Sequence, residues 1–153
     1  MTMRAKDVSR IVNVKEKAVD AASERLSVQN RQLGHEEGIM AELLQGFEQV
    51  AASAVGARRD TFTAADLAAW QQYTNRSRRQ YEQQRIVVKQ NELERDANLA
   101  DVVSAYQDAA RWSLLHVKKQ TLETEEETRS EQRVMDDTAT IRHVRIGRAR
   151  AQE

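Results

Sequence analysis

The chain of 153 residues has no proline, no cysteine and five glycines, and its 24 basic and 24 acidic residues give a formal net charge of zero. This composition excludes disulfides and thiolate metal sites, gives no support for nucleic-acid binding through overall charge, and favours long helices over a sheet. Hydrophobic residues make up 40% and aromatic residues 5% of the chain, which suits the narrow seam of a coiled coil better than a thick globular core.

No apolar run approaches the roughly 18 residues that a membrane-spanning helix needs. The N-terminal stretch 1–17 is basic, but it lacks the continuous apolar segment of a secretory signal. We therefore expect a cytoplasmic protein that does not insert into a membrane.

The first third of the sequence carries apolar side chains at every seventh position. These positions are Val12, Val19, Leu26, Leu33, Met40, Phe47 and Ala54. The positions four residues before them are partly polar: Val8, Lys15, Ala22, Gln29, Glu36, Leu43 and Val50. A repeat sustained in this way predicts a helix, from about residue 5 to about residue 55, that supercoils on a partner helix.

The middle of the chain contains the signals that end one helix and start the next. The first helix is expected to stop near Gly56, because glycine readily adopts the left-handed conformation that commonly ends a helix. Thr63 is the expected N-cap of the second helix, with Asp66 completing a capping box, and Phe62 and Leu67 are expected to form a hydrophobic staple.

The predicted loop, 56–63, is short, and short connections favour antiparallel neighbours. The second helix is predicted from about residue 64 to about residue 145, followed by a basic tail, 146–153. The sequence therefore predicts one all-α domain, a long two-helix antiparallel coiled-coil hairpin.

A reversal of the chain in this loop pairs positions of the two helices. The expected pairs are Leu33 with Ile86, Leu26 with Leu93, Val19 with Ala100, and Ala5 with Leu114. Met40 would meet Arg79 instead, so we expect a stutter in the second helix near Val88. Beyond about Leu114 the second helix has no predicted partner within the chain and should overhang the first helix.

The sequence offers little for catalysis or cofactor binding. The histidines, His35, His116 and His143, lack the spacing of metal ligands, and no glycine-rich phosphate loop occurs. The acidic run at residues 123–127 is read as a solvated helix face, since a thin hairpin offers no desolvated cleft for acid–base chemistry. We expect no enzyme activity, no metal and no cofactor.

A group of large side chains lies near the predicted loop on both helices. Its members are Met40, Leu44, Phe47, Trp70 and Tyr73. They are either the core of the best-packed end of the hairpin or, because two helices cannot fully cover indole and phenol rings, an exposed patch for a partner.

The end of the chain is basic, with Arg142, Arg145, Arg148 and Arg150 and no acidic residue between Asp137 and Glu153. One interpretation is a basic tail whose arginines complement a helix C-terminus. The other is a surface that docks against an acidic partner. The basic residues of the N-terminus, Arg4, Lys6 and Arg10, are expected at the same open end of the hairpin.

Three features of the chain resemble the FliJ family. They are the two-helix layout, the stretch "TFTAADLAAWQQY" at the start of the second helix, and "QRVMDDTA" near the end. That family comprises a flagellar export component and its YscO-type counterparts in virulence type III secretion. The resemblance implies a non-catalytic central stalk of the hexameric export ATPase, similar to the terminal helices of the rotary ATPase γ subunit. It also implies contact with the cytoplasmic ring of the export gate and, for some members, with export chaperones.

The resemblance also assigns candidate residues. In the family, the gate-binding patch of the first helix has the spacing i, i+4, i+7, i+11, which is matched here by Met40, Leu44, Phe47 and Ala51. We add Trp70 of the second helix, the first aromatic of the "WQQY" stretch, to the candidate gate contacts. The second-helix patch maps to Tyr73, Ser77, Gln80 and Gln84. Candidate ATPase contacts at the open end are Arg4, Lys6, Arg10, Arg142, Arg145 and Arg148. It further implies a location at the periphery of the inner-membrane export apparatus. Because the half-polar seam, with Gln29, Glu36 and Asp96, argues against tight self-association, we expect a monomer.

Three alternatives come from other functional classes. A generic coiled-coil scaffold would pair its overhangs between chains, and light scattering separates it from a monomeric stalk. A nucleic-acid binder is disfavoured because acidic residues are interspersed along both helices. An enzyme would require a cleft that the sequence does not indicate.

Overall fold

The structure, a computed structural model, describes residues 3–57 and 63–150. These residues form two long helices, α1 at Ala5–Ala57 and α2 at Ala64–Arg150. Within the described residues neither helix contains a stretch apolar enough to cross a membrane. The all-α hairpin predicted from the sequence is confirmed.

The chain divides into two compact units. Unit 1 contains Met1–Ala18 and Tyr106–Glu153, and unit 2 contains Val19–Ala105. In each unit a stretch of α1 runs antiparallel to a stretch of α2.

The predicted seam of α1 is confirmed along its whole length. Each of the two sets of heptad positions, from Val8 to Val50 and from Val12 to Ala54, is buried or half-buried. Val8 has no exposed surface, and Leu33 is 4% exposed. The heptad pattern locates this face of α1 because a helix can keep one stripe against a partner only with a 3.5-residue repeat.

The predicted seam of α2 is wrong. Ile86 is 66%, Leu93 61% and Leu114 72% exposed, and Ala100 is also exposed. The buried or half-buried heptad of α2 comprises Trp70, Thr74, Ser77, Tyr81, Gln84, Val88, Asn91, Arg95, Asn98, Val102, Ala105, Ala109, Trp112, His116, Lys119 and Glu123. It is unbroken, so the stutter predicted near Val88 is absent from the described helix.

Three of the five aromatic side chains of α2 lie on the observed face and favour it. Trp70, Tyr81 and Trp112 all belong to the observed heptad. Because each large ring buries roughly 150–250 Å² when it is covered, an apolar count that ignores them selects the wrong side of the helix.

Unit 2 is held in register by two polar layers within the seam. The Gln29 side-chain amide donates to Asn91 Oδ1 at 2.9 Å, and the Gln84 amide donates to Glu36 Oε2 at 2.7 Å and to the Glu36 carbonyl at 3.0 Å. Gln29 and Asn91 are only 8% and 7% exposed. Satisfied partners remove most of the cost of burying these amides.

Unit 1 is joined by contacts near the start of α1. The Ala5 backbone N–H donates to Glu123 Oε1 at 2.7 Å, and Lys15 Nζ lies 2.6 Å from Asp108 Oδ2. The overhang therefore starts after Glu123, later than the predicted Leu114, because Ala5 lies against Glu123 and not against Leu114. Every described side chain from Thr124 to Arg148 is exposed.

The start of α2 carries the predicted capping box. Thr63 N–H donates to Asp66 Oδ2 at 3.0 Å, and Asp66 N–H donates to Thr63 Oγ1 at 3.3 Å. The Thr63 hydroxyl, and then its backbone N–H, lower the pKa of the Asp66 carboxyl below its ordinary value of 3.8 by hydrogen bonding. The Phe62–Leu67 staple lies outside the described residues.

Each helix contains a glycine close to the end of its described range. α1 continues through Gly56 to Ala57, and α2 continues through Gly147 to Arg150, so the described part of the segment predicted as a basic tail is helical. A single glycine costs only about 1 kcal/mol in a helix interior, and the chain has no proline to impose a stop.

Candidate functional site

The candidate gate residues lie in unit 2 near the loop, and we call them the tip patch: Met40, Leu44, Phe47, Ala51, Trp70 and Tyr73. Met40, Phe47 and Trp70 occupy seam positions and are half-buried. Leu44 and Tyr73, 43% and 40% exposed, lie outside the seam. The tip patch thus combines the two interpretations of the sequence, since its seam members pack the hairpin and its outer members face solvent.

A shallow groove of about 260 Å³ crosses the two helices beside this patch. It is lined by Leu43, Leu44, Phe47, Ser77, Arg78, Tyr81 and Glu82. The groove brings Leu44 and Phe47 of the predicted patch together with Tyr81, which the sequence analysis did not single out. The heptad spacing from Trp70 to Tyr81 was the available signal for it.

A second shallow surface lies closer to the loop, where Trp70 and Tyr73 line it together with Val50, Ser53, Ala54, Asp66 and Ala69. The Trp70 indole N–H is buried and finds no acceptor among the described residues. The indole ring contributes apolar contact area at this position. The capping box at Thr63 and Asp66 starts the helix about one turn before Trp70.

The candidate ATPase residues lie in unit 1 and fall into two groups. Arg142, Arg145 and Arg148 lie on the overhang, where all three are exposed. Ile141 is 55% exposed and, at spacings of four and seven residues, shares a helix face with Arg145 and Arg148. We call Ile141 and the three arginines the overhang patch, a basic surface with an apolar centre.

The N-terminal group has different surroundings. Arg4 lines a cavity of about 470 Å³ with Met3, Lys119, Leu122, Glu123, Glu126 and Glu127, so acidic side chains lie beside it. Arg10 Nη1 lies 4.0 Å from Asp7 Oδ1, and Lys6 is exposed. Acidic neighbours therefore offset much of the basic charge in this group.

The two basic groups do not meet. Ala5 of α1 lies at the level of Glu123 of α2, and Arg142 follows Glu123 by about 28 Å along the helix at 1.5 Å per residue. The described residues also contain no group of three His, Cys, Asp or Glu side chains that could hold a metal ion.

The family model described as flagellar FliJ protein matches residues 5–148, almost the whole chain. The chain belongs to the FliJ family. No curated protein and no solved structure matches it. As a member of the FliJ family, the chain is a component of a flagellar-type protein export apparatus. Members of this family are non-enzymatic export components.

The second-helix part of the FliJ-family patch is partly committed inside this hairpin. Ser77 is half-buried and lines the groove beside Phe47, Gln84 is bonded to Glu36, and Gln80 is exposed. Of these, Gln84 is committed to a polar layer of the seam. Tyr73, Ser77 and Gln80 remain outside that layer, and the groove adds Tyr81 beside Leu44 and Phe47.

Glu123 has a role that the sequence analysis missed. The acidic run predicts a solvated helix face, yet Glu123 accepts a hydrogen bond from the first N–H of α1. A carboxylate at a helix N-terminus satisfies an orphan donor and interacts favourably with the helix dipole. This contact fixes where α1 starts relative to α2 within unit 1.

Proposed function

We propose that this FliJ-family protein is the non-catalytic central stalk of its export apparatus, coupling the hexameric export ATPase to the export gate. The overhang patch binds the ATPase and the tip patch binds the cytoplasmic ring of the gate. The exposed basic overhang carries this proposal, because a helix that extends beyond its partner is free to enter another protein.

The charge pattern supports the ATPase assignment. The overhang from Thr138 onward has no acidic residue before Glu153, whereas both helices elsewhere mix the two signs. Unopposed arginines accelerate encounter with an acidic surface and form charge-assisted hydrogen bonds with carboxylates. Ile141 adds an apolar contact at the centre of the patch.

The tip patch supports the gate assignment. Exposed apolar patches mark binding surfaces, and tyrosines are frequent anchors within them. The candidate anchors on the two neighbouring helices are Leu44, Tyr73 and the groove residue Tyr81. Met40, Phe47 and Trp70 hold these anchors in place from the seam.

The N-terminal basic residues Arg4, Lys6 and Arg10 are proposed as a secondary part of the ATPase-binding end. Their acidic neighbours predict a smaller contribution than that of the overhang arginines. Export chaperones are a further proposed class of partner, testable by co-elution of purified chaperone and stalk.

The first experiment measures ATP hydrolysis by the export ATPase of the same organism with and without this protein. We expect stimulation by the natural protein and loss of stimulation for Arg142→Glu/Arg145→Glu/Arg148→Glu. The matched control, Lys17→Glu/Arg25→Glu/Arg76→Glu, makes the same charge change at exposed positions outside the overhang.

Stimulation by the control and not by the overhang variant supports the ATPase assignment. No stimulation and no binding by the natural protein would refute the stalk proposal. A mass in light scattering that rises with concentration would instead support a coiled-coil scaffold, since we expect the stalk to be a monomer alone.

The gate assignment is tested by calorimetric binding to the purified cytoplasmic domain of the gate. Leu44→Asp should lower the affinity by at least tenfold, because it places a charge at the edge of the groove. Leu99→Asp is the control, since Leu99 is similarly exposed, at 49%, but lies outside the tip patch. Equal losses in both variants would contradict the assignment.

A further inference from the structure

In unit 2, α2 carries two different heptad faces. The face that packs on α1 is largely polar between residues 84 and 102: Gln84, Val88, Asn91, Arg95, Asn98 and Val102. The other face, exposed to solvent, is more apolar and has the same heptad spacing: Gln83, Ile86, Gln90, Leu93, Ala97 and Ala100.

Apolar burial alone would select the opposite packing. Ile86 and Leu93 are 66% and 61% exposed, while the corresponding seam positions are Val88 and Arg95. The seam also has Asn98 where the exposed face has Ala97. Burying branched aliphatic side chains is favourable, and burying amides and a guanidinium is costly without partners. Trp70 and Tyr81 favour the observed face nearer the loop, but between residues 83 and 102 something other than apolar area holds this face inward.

The hydrogen bonds of the two polar layers supply a specific reason. Asn91 accepts from Gln29 at 2.9 Å, and Gln84 donates to Glu36 at 2.7 Å, so each α1 polar side chain in the seam has a partner on this face of α2. Asn91 also donates to the Val87 carbonyl at 3.0 Å, which orients its amide. A buried polar residue in a coiled coil commonly fixes register at some cost in stability.

The exposed face offers similar partners one residue earlier. Gln83 precedes Gln84, and Gln90 precedes Asn91. A screw displacement of α2 by one to two residues, about 2 Å along its axis and about 150° around it, would bring Gln83 and Gln90 towards Glu36 and Gln29. The same displacement would place Ile86 and Leu93 in the seam.

We propose that the Gln29–Asn91 and Glu36–Gln84 hydrogen bonds select which of two competing faces of α2 packs on α1 in unit 2. When those bonds are removed, the segment around residues 83–100 turns its apolar face inward. Trp70 and Tyr81 remain on the observed face, so the rearranged segment joins them through a stutter.

Cysteine cross-linking tests this proposal cleanly because the chain has no cysteine of its own. Leu33 and Val88 are 4% and 6% exposed and lie in the layer between the two polar layers, so Leu33→Cys/Val88→Cys reports the observed face. Leu33→Cys/Ile86→Cys reports the alternative face. The rate of disulfide formation in a glutathione buffer is measured for each pair in the full chain.

In the natural background we expect the 33/88 pair to close at least tenfold faster than the 33/86 pair. Adding Gln84→Ala/Asn91→Ala should change this ratio by at least tenfold in favour of 33/86. The matched control, Gln83→Ala/Gln90→Ala, removes two amides from the exposed face and should leave the ratio unchanged.

A milder pair of variants covers the case in which the double alanine variant loses its helical circular dichroism. Gln84→Glu places a carboxylate opposite Glu36 and should shift the ratio towards 33/86, whereas Gln83→Glu should not. An unchanged ratio in helical Gln84 variants, or equal effects of the variants and their controls, would overturn the proposal. So would faster closure of 33/86 in the natural background.

Discussion

The seam of unit 1 can be tested by comparing one small buried side chain with one large exposed side chain. Val8 has no exposed surface, whereas Leu114 is 72% exposed although the sequence pattern places it in the seam. The structure therefore predicts that Val8→Ala destabilises the protein more than Leu114→Ala, in spite of the larger side chain removed at Leu114.

The magnitudes follow from the area that each side chain buries. Val8→Ala removes the equivalent of two buried methylene groups, worth about 1.6 kcal/mol, and leaves a partial cavity. The higher helix propensity of alanine returns up to about 0.6 kcal/mol, so the net loss is about 1–2 kcal/mol. Leu114 keeps less than a third of its area covered, so its truncation should change the free energy of unfolding by about 0.5 kcal/mol or less.

The assay is urea unfolding followed by circular dichroism at 222 nm, with both variants and the natural protein at the same concentration. Val8→Ala should lower the unfolding midpoint at an unchanged slope, and its melting temperature should fall by about 2–8 °C for a chain of this length. A loss of about 2 kcal/mol or more for Leu114→Ala, with little effect of Val8→Ala, would refute the assigned seam and restore the register read from the apolar pattern.

The remaining predictions concern the polar layer, the capping box and the overhang. Gln29→Leu and Asn91→Leu should each lower the free energy of unfolding by about 1–3 kcal/mol, because each leaves one amide unpaired. The double variant should approach the stability of the natural protein in the same urea assay. Additive losses would show that the Gln29 and Asn91 side chains are not coupled. The pKa of Asp66, measured by NMR, should lie below 3.8 and rise towards 3.8 in Thr63→Ala. Because the pKa is lower in the folded state, the capping box stabilises the fold fully above pH 3.8 and loses this effect as the pH falls through the folded pKa. An unshifted Asp66 titration would contradict this. Truncation after residue 123 should leave the melting temperature nearly unchanged, since the described residues beyond it are exposed, and a fall of several degrees would mean that the overhang is packed.

The sequence by itself determined the fold class, the start of α2 and the face of α1. Its heptad repeat contains one clear apolar stripe, and the absence of proline permits helices of this length. The capping box at Thr63 and Asp66 is a local arrangement, so neighbouring residues suffice to predict it. The family resemblance of the "WQQY" and "VMDD" stretches was likewise readable, and the family match over residues 5–148 confirms it.

Only the tertiary structure decided which face of α2 turns towards α1. That helix has two stripes with the same period, so periodicity cannot choose between Val88 and Ile86. The choice depends on long-range contacts: aromatic rings that pack across the seam, and amides that find partners such as Gln29 some 62 residues away. The start of the overhang is decided in the same way, because the contact between Ala5 and Glu123 joins positions that no local pattern relates.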